Sequence, residues 1–315
     1  MYYSTIDPLH LSTNGHNIRI VLMNGGLGNQ TFQYIFARWL EIVTGEPCYL
    51  DDFNFFVKEP YYVVYEMDRI FKPKANLLTK YVTPEKKEEI LWYYKKGNNI
   101  PSILLSMGYP LSIIAETTPY PFKGNISYMP SNMYNQFLAQ AQGCNYYFGY
   151  FINPYFFRDI AGQMLQELEF IPIPDEKNRE YARQIEETNS VAVHFRREPT
   201  SAFATVWRVS EESYANAVSS LEKWREENNE EEFTYFIFTD NPEDMKAHYK
   251  EAGLGDKKIV FVEGNTGSNN YLDCQLMSLC KHRIVTNSSF DYLAALLRKK
   301  RDGAMANLNP GRVIL

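Results

Sequence analysis

An apolar run typical of a buried strand contains a histidine and ends at two adjacent arginines. The run at 191–195 reads Val-Ala-Val-His-Phe and leads directly into Arg196 and Arg197. Arginine is always charged and offers a planar fork of N–H donors, so an adjacent pair suits a phosphate or a pyrophosphate. Open α/β sheets bind ligands at the carboxyl ends of their strands. The stretch therefore predicts a site for a phosphate-bearing substrate, and a solvated or salt-bridged arginine pair is the alternative.

A glycine-rich loop near the N-terminus is the second candidate ligand site. An apolar run at 18–23 predicts a buried strand, and Asn24-Gly25-Gly26-Leu27-Gly28-Asn29-Gln30 follows it. Glycines permit a tight turn and a close approach of the backbone to a ligand. Because the spacing matches neither a dinucleotide-binding loop nor a P-loop, a turn that merely joins strand to helix is the alternative.

The segment Asn287-Ser288-Ser289 is the third candidate. It lies between a short apolar run at 284–286 and an apolar helical pattern that begins at Phe290. Serine and asparagine before a helix are N-cap residues, but the free N–H groups and positive dipole end at such a position also bind phosphate. We expect the phosphate role if this helix opens at the same sheet edge as the arginines.

An α/β scaffold is needed to position these segments. In the second half of the chain, apolar runs alternate with helical patterns, which predicts βαβ units around a parallel sheet. The runs lie at 191–195, 234–239 and 259–262. Pro172 and Pro174, with charged residues after them, mark a join between two lobes. We therefore predict lobes at residues 1–172 and 173–315.

Composition excludes several classes of protein. The 315 residues are 45% hydrophobic and 22% charged, which is enough apolar material for two cores. A net charge of -6 argues against a nucleic-acid binder, which must neutralise many phosphates. No apolar stretch approaches the ~20 residues of a membrane span, and the chain does not open on a basic and then apolar leader. We predict cytoplasmic residence, with peripheral contact at the inner face of the membrane left open.

The cysteines and one basic run carry no strong signal. The cysteines lack the spacing of metal ligands and are interpreted as buried thiols of a reducing compartment. They are Cys48, Cys144, Cys274 and Cys280. The run Arg298-Lys299-Lys300-Arg301 is interpreted as a solvated helix end, with contact to an anionic membrane or a lipid-linked acceptor as the alternative.

Taken together, the motifs resemble those of the bacterial α-1,2-fucosyltransferase family, glycosyltransferase family 11. The resemblance covers most of the chain in a fixed order. Its segments are Gly25 to Tyr34, Tyr147-Phe148-Gly149-Tyr150-Phe151, His194-Phe195-Arg196-Arg197, Thr239-Asp240-Asn241-Pro242, and Asp273 followed by Asn287-Ser288-Ser289-Phe290. It implies a GT-B-like α/β fold of two Rossmann-type lobes with parallel sheets, an N-terminal acceptor-side lobe and a C-terminal lobe that binds a nucleotide sugar.

The resemblance also implies an activity and a set of site residues. L-Fucose would pass from GDP-fucose, with inversion, to a hydroxyl of an oligosaccharide or lipid-linked glycan, usually O2 of a galactoside. Asn29 and Gln30 would face the fucose and the acceptor, and Arg196 and Asn29 would act in catalysis. The donor would be bound by His194, Arg196, Arg197, Asp240, Asp273, Asn287, Ser288 and Ser289.

No cofactor or metal is expected. The sequence has no Asp-x-Asp triplet, so the metal-clamped diphosphate of many other glycosyltransferases has no anchor. Arginines and a helix N-terminus must then stabilise the charge on the departing GDP. Asp51 is the predicted catalytic carboxylate, and Asp52 and Glu198 are further candidates for the base; a structural role is the alternative for each.

Two segments depart from the family pattern. Glu198-Pro199-Thr200 replaces the usual Gly-Asp-Tyr after the arginines, and Asp291-Tyr292-Leu293 replaces a tryptophan-rich helix. These changes leave two alternatives open. One is a glycosyltransferase that uses another nucleotide sugar, and the other is a non-catalytic relative that binds a nucleotide or a glycan.

Overall fold

The computed structural model describes residues 17–57, 64–116, 126–128, 134–197 and 209–308. The chain forms two compact units, the first ending at Glu169 and the second beginning at Phe170, close to the predicted boundary after residue 172. Each unit contains a five-stranded sheet, and all strand pairs are parallel. The predicted α/β fold of two Rossmann-type lobes with parallel sheets is confirmed.

The first unit has the strand order β2-β1-β5-β3-β4. Its elements are β1 (Arg19–Leu22), α1 (Leu27–Thr44), β2 (Cys48–Asp51), α2 (Met67–Ile70), α3 (Pro84–Lys95), α4 (Ile100–Ser106), β3 (Ser112–Ala115), β4 (Ile126–Tyr128), α5 (Tyr134–Gln140), β5 (Asn145–Phe148), α6 (Pro154–Asp159) and α7 (Ala161–Glu167). The chain runs from β1 outward to β2 and later fills the other side of β1. The order therefore reverses between β1 and β5, which is where such sheets bind ligands.

Helix α1 follows the glycine-rich loop as predicted. Its apolar residues recur at helical spacing, and Phe32, Phe36 and Trp39 are buried. Gly45 ends the helix in the left-handed conformation, at φ +70°, and donates its N–H to the Glu41 carbonyl. The packed face fixes the position of the first turn of α1, and hence of the loop before it.

The second unit has the strand order β10-β9-β6-β7-β8. Its elements are α8 (Glu176–Glu187), β6 (Asn189–Phe195), α9 (Glu211–Glu227), β7 (Phe233–Thr239), α10 (Pro242–His248), β8 (Lys258–Phe261), α11 (Tyr271–Leu279), β9 (His282–Val285), α12 (Ser289–Leu296) and β10 (Met305–Asn307). The predicted βαβ units are confirmed. The order reverses between β6 and β9, so the carboxyl ends of these two neighbours form the ligand-binding edge.

Three smaller predictions concern the surface and the thiols. Three cysteines are buried and Cys144 is half-buried, and all four are thiols. The basic run follows α12, where Arg298 donates to the Ala295 carbonyl at 2.8 Å, as the helix-end interpretation predicts. Among the described residues, no helix combines the length and apolar character needed to cross a membrane.

Candidate functional site

The sheet edge between β6 and β9 gathers most of the predicted donor-binding residues. The two strands are paired in register, with Val193 opposite Ile284. Arg196 and Arg197 therefore leave β6 beside the segment that leaves β9, which contains Ser288. Helix α12 begins at Ser289, so it opens at the same edge as the arginines. This is the arrangement under which we expect the segment Asn287-Ser288-Ser289 to bind phosphate.

The two arginines have different environments. Arg196 is exposed, whereas the side chain of Arg197 is only 1% exposed and its guanidinium pairs with Glu211 at 2.5 Å and Asp244 at 3.5 Å. Arg197 also lies over the ring of Phe195. It thus ties β6 to α9 and α10. Of the two arginines predicted to act on a diphosphate, Arg196 has the exposed side chain and Arg197 the buried, ion-paired one.

His194 is a buried neutral imidazole behind Arg196. Its carbonyl accepts from the Tyr214 hydroxyl at 2.8 Å, and its ring lies against Phe290. Burial lowers the pKa of His194, partly opposed by Asp291 and Asp240. Among the described residues its Nδ1 atom has no hydrogen-bond partner, so a polar atom is held at this edge for a further contact.

The loop before α12 is shaped by Asp291. One carboxylate oxygen accepts from the Thr286 N–H at 2.7 Å and from its hydroxyl at 3.1 Å. Ser288 occupies the N-cap position, but its side chain makes no capping hydrogen bond. The first N–H groups of α12 are therefore not capped by that side chain, and an anion can bind them. Asp291 stands at the third helical position, where capping-box acids occur, so sequence alone could have indicated its role.

The two predicted donor-binding aspartates lie in different places. Asp240 follows β7 and accepts the Arg197 N–H at 2.5 Å, so it fixes the backbone of the arginine loop. Asp273, in the first turn of α11, accepts from Asn265 at 2.7 Å. Burial raises the pKa of Asp273 to about 7, although the Asn265 bond opposes this. Asn265 follows β8, so this bond joins Asp273 to the loop after β8.

In the first unit, the glycine-rich loop holds Asn29 but hides Gln30. Gly25 has φ +74°, and a Cβ there would lie 2.5 Å from the Asn29 amide nitrogen, so any other residue would be strained and would displace the Asn29 side chain. Gln30 is fully buried. It donates to the carbonyls of Gly25 and Val64, each at 2.8 Å, and accepts from the Glu66 N–H at 3.0 Å. The polar atoms of Gln30, predicted to contact the acceptor, thus hold the loop together in this structure.

Asp51 is also enclosed within the first unit. It is completely buried, and its carboxylate accepts from the Phe53 N–H at 3.1 Å and the Tyr146 hydroxyl at 2.6 Å. Asp52 is similarly engaged by Thr79. These contacts favour the structural alternative for both aspartates. Glu198, the third candidate base, lies outside the described residues, as do Pro199 and Thr200.

A substitution of Asp51 distinguishes a catalytic role from a structural role for this residue. Asp51→Asn keeps the shape, so we expect kcat to stay far from the ~10²–10⁴-fold loss that removal of a general base produces. Burial raises the pKa of Asp51 from 3.8 to about 7. The neutral Asp51 carboxyl group therefore gives its full stabilisation of the folded chain below pH 3.8, and this stabilisation is lost as the pH rises through about 7. Urea unfolding across this range should show that loss in the native chain and a smaller loss in Asp51→Asn. A collapse of kcat in a folded Asp51→Asn would restore the catalytic role.

Gln33 was not singled out from the sequence, yet it joins two loops of the first unit. Its side chain accepts from the Asn24 N–H at 2.9 Å and donates to the Asn24 side chain at 2.9 Å and the Gly149 carbonyl at 2.8 Å. The loops after β1 and β5, on either side of the order reversal, are thus held together. An amide on the buried face of an otherwise apolar helix was the signal available.

Comparison with known proteins places the chain in a family. The model of Glycosyl transferase family 11 matches residues 125–311, which is more than half of the chain and includes the whole edge between β6 and β9. The chain belongs to glycosyl transferase family 11. It is therefore a glycosyltransferase, as the motifs predicted.

Similar proteins carry related names. An alpha-1,2-colitosyltransferase of Escherichia coli is 26% identical over 289 residues, which covers 90% of this family 11 chain and 88% of that protein. Among solved structures, the fucosyltransferase NodZ from Bradyrhizobium is 13% identical, with a TM-score of 0.48 and coverage of 90% of this chain and 93% of that one. POFUT1 in complex with GDP is 11% identical, with a TM-score of 0.46 and coverage of 94% and 99%.

Proposed function

We propose that this glycosyltransferase transfers L-fucose from GDP-fucose, with inversion, to a hydroxyl of a glycan acceptor, with O2 of a galactoside as the position. The observation that carries the proposal is the edge of the second unit. There, exposed Arg196, the polar Nδ1 atom of His194 and the N-terminus of α12 surround the end of β6. Fixed positive charge beside free N–H groups suits a diphosphate.

The chemistry follows from this arrangement. As the bond from the fucose carbon to the β-phosphate breaks, negative charge develops on GDP, and Arg196 and the N–H groups of α12 stabilise it. The acceptor hydroxyl oxygen attacks the fucose carbon from the opposite side and forms the new glycosidic bond, and its proton passes to solvent water as the bond to GDP breaks. Asn29, over Gly25, contacts the sugars in the first unit. Arg197 and Asp240 act as positioning residues for the loop that presents Arg196.

The phosphate contacts alone do not account for tight binding. One charge-assisted hydrogen bond supplies ~1.5–3 kcal/mol, and a helix terminus supplies ~0.3–1 kcal/mol. Micromolar affinity needs about 8 kcal/mol, so the base and the sugar must contribute the rest. We assign recognition of the guanine ring to Asp273, since a carboxylate accepts from the N–H donors of guanine.

The name of the Escherichia coli relative supports a second donor. That protein is an alpha-1,2-colitosyltransferase, so colitose is the alternative sugar for the same α-1,2 transfer. The donor pocket and the diphosphate site would be used in the same way. A comparison of donors, not of acceptors, separates the two candidates.

Calorimetry with a panel of nucleotides tests the proposal. GDP and GDP-fucose are expected to bind with and without EDTA, whereas UDP-galactose should bind weakly. A transfer assay then compares GDP-fucose, GDP-mannose and a colitose donor with a β-galactoside as acceptor. Absence of guanine preference, or strict dependence on metal, would contradict the proposed donor site. Faster transfer of colitose would assign the second candidate.

A further inference from the structure

The turn after β5 has an unusual backbone. Phe151 has φ +52°, a left-handed conformation that is strained for a bulky residue. Its ring is buried and stacks on Phe36, with centroids 4.0 Å apart and an interplanar angle of 14°. Packing in the core therefore compensates for the strain and keeps the turn in this form.

Glu116 holds the same turn from the neighbouring strand. It follows β3, which pairs with β5, and one carboxylate oxygen accepts from the N–H groups of Tyr150 at 2.6 Å and Phe151 at 2.8 Å. A Cβ at position 149 would lie 2.5 Å from the Glu116 Cβ atom, so glycine is required there. With Gln33 bound to the Gly149 carbonyl, the backbone of the turn is fixed from both sides.

The fixed turn leaves one aromatic side chain at the surface. Tyr150 is 43% exposed, although Tyr147 before it and Phe151 after it are buried. It stands at the carboxyl end of β5, where the strand order of the first unit reverses and where ligands of such sheets bind. Tyrosine offers a large rigid surface at a small cost in conformational entropy.

We propose that Tyr150 is a specificity-determining residue that stacks on a pyranose ring of the acceptor glycan, and that Glu116 is its positioning residue. This inference rests on the proposed function and adds the acceptor subsite to it. The apolar C–H face of a galactose ring matches the face of an aromatic side chain. The carboxylate of Glu116 fixes the direction of the ring through the backbone and does not itself contact the sugar.

Steady-state kinetics test this assignment. Tyr150→Ala should raise the KM for a β-galactoside roughly tenfold, which equals ~1.4 kcal/mol, with the KM for the donor unchanged. Tyr150→Phe keeps the ring and should raise the acceptor KM less. Glu116→Ala, which removes the acceptor of both N–H groups, should act in the same direction, and the double variant should be no worse than Tyr150→Ala, because the two residues act through one contact. Trp92→Ala removes another exposed aromatic side chain, on α3 and 57% exposed against 43% for Tyr150, and is the control.

A binding experiment separates this inference from the proposed function. Saturation-transfer NMR with methyl β-D-galactopyranoside in the presence of GDP should show ring protons in contact with the native chain and a weaker effect in Tyr150→Ala. If the native chain binds the galactoside through Tyr150 but does not transfer fucose, the donor assignment is wrong and the subsite stands. Equal signals in both chains, or no binding to the native chain, would overturn the subsite.

Discussion

Arg196→Ala is expected to lower kcat/KM for GDP-fucose by ~10²–10³-fold, the loss typical of removing one group that stabilises developing charge. Arg196 is exposed at the end of β6, beside the N-terminus of α12, so its loss removes the exposed guanidinium of the proposed diphosphate site. Because the side chain is exposed, the unfolding temperature should hardly change. Single-turnover kinetics and calorimetry with GDP measure the two effects.

Arg301→Ala is the matched control, since it removes one exposed positive charge from the same unit. It should leave donor affinity unchanged. Arg196→Lys should recover only part of the activity, because an ammonium cannot donate in the planar fork that suits a phosphate. Equal losses in Arg196→Ala and Arg301→Ala would point to general electrostatic attraction and would remove Arg196 from the site.

Arg197→Ala is expected to act on stability instead. Its guanidinium is buried between Glu211 and Asp244, and removing one partner of a buried ion pair costs ~3–5 kcal/mol. The lower end applies, since the two acidic side chains are 26% and 28% exposed and solvent screens them. Urea unfolding measures the change in the free energy of unfolding.

A partner substitution checks the cause of that loss. Glu211→Gln alone should destabilise the native chain. In the Arg197→Ala background the same substitution should lower the free energy of unfolding less, because Glu211 has already lost its partner. Additive effects of the two substitutions would show that the residues do not act as a pair. Together with Arg196→Ala, these variants distinguish a binding role from a structural role at two adjacent positions.

The fold was largely predictable from the sequence because its signals are local. Continuous apolar runs predicted the buried parallel strands, and helical spacing from Phe32 to Gly45 predicted α1 and its end. The different environments of the two arginines are not local, because Arg197 is enclosed by Glu211 and Asp244, which belong to helices later in the chain.

The contacts that engage the side chains of Gln30 and Asp51 are not local. Gln30 is held by Val64, 34 residues away, and Asp51 by Tyr146, 95 residues away. Polar residue type in a loop does not show whether a distant segment already satisfies it. The position of Glu116 beside Tyr150 was hidden for the same reason, since it depends on the pairing of β3 with β5.

The side chain of Gln33 has a consequence for exchanging loops between members of the family. It binds Asn24 in one loop and Gly149 in the other, so the two segments cannot be treated as independent modules. A chimera that imports a new segment after β5 alone would misplace the Gly149 carbonyl and disturb the loop after β1. Residues 24–33 and residues 149–151 must therefore be transplanted together.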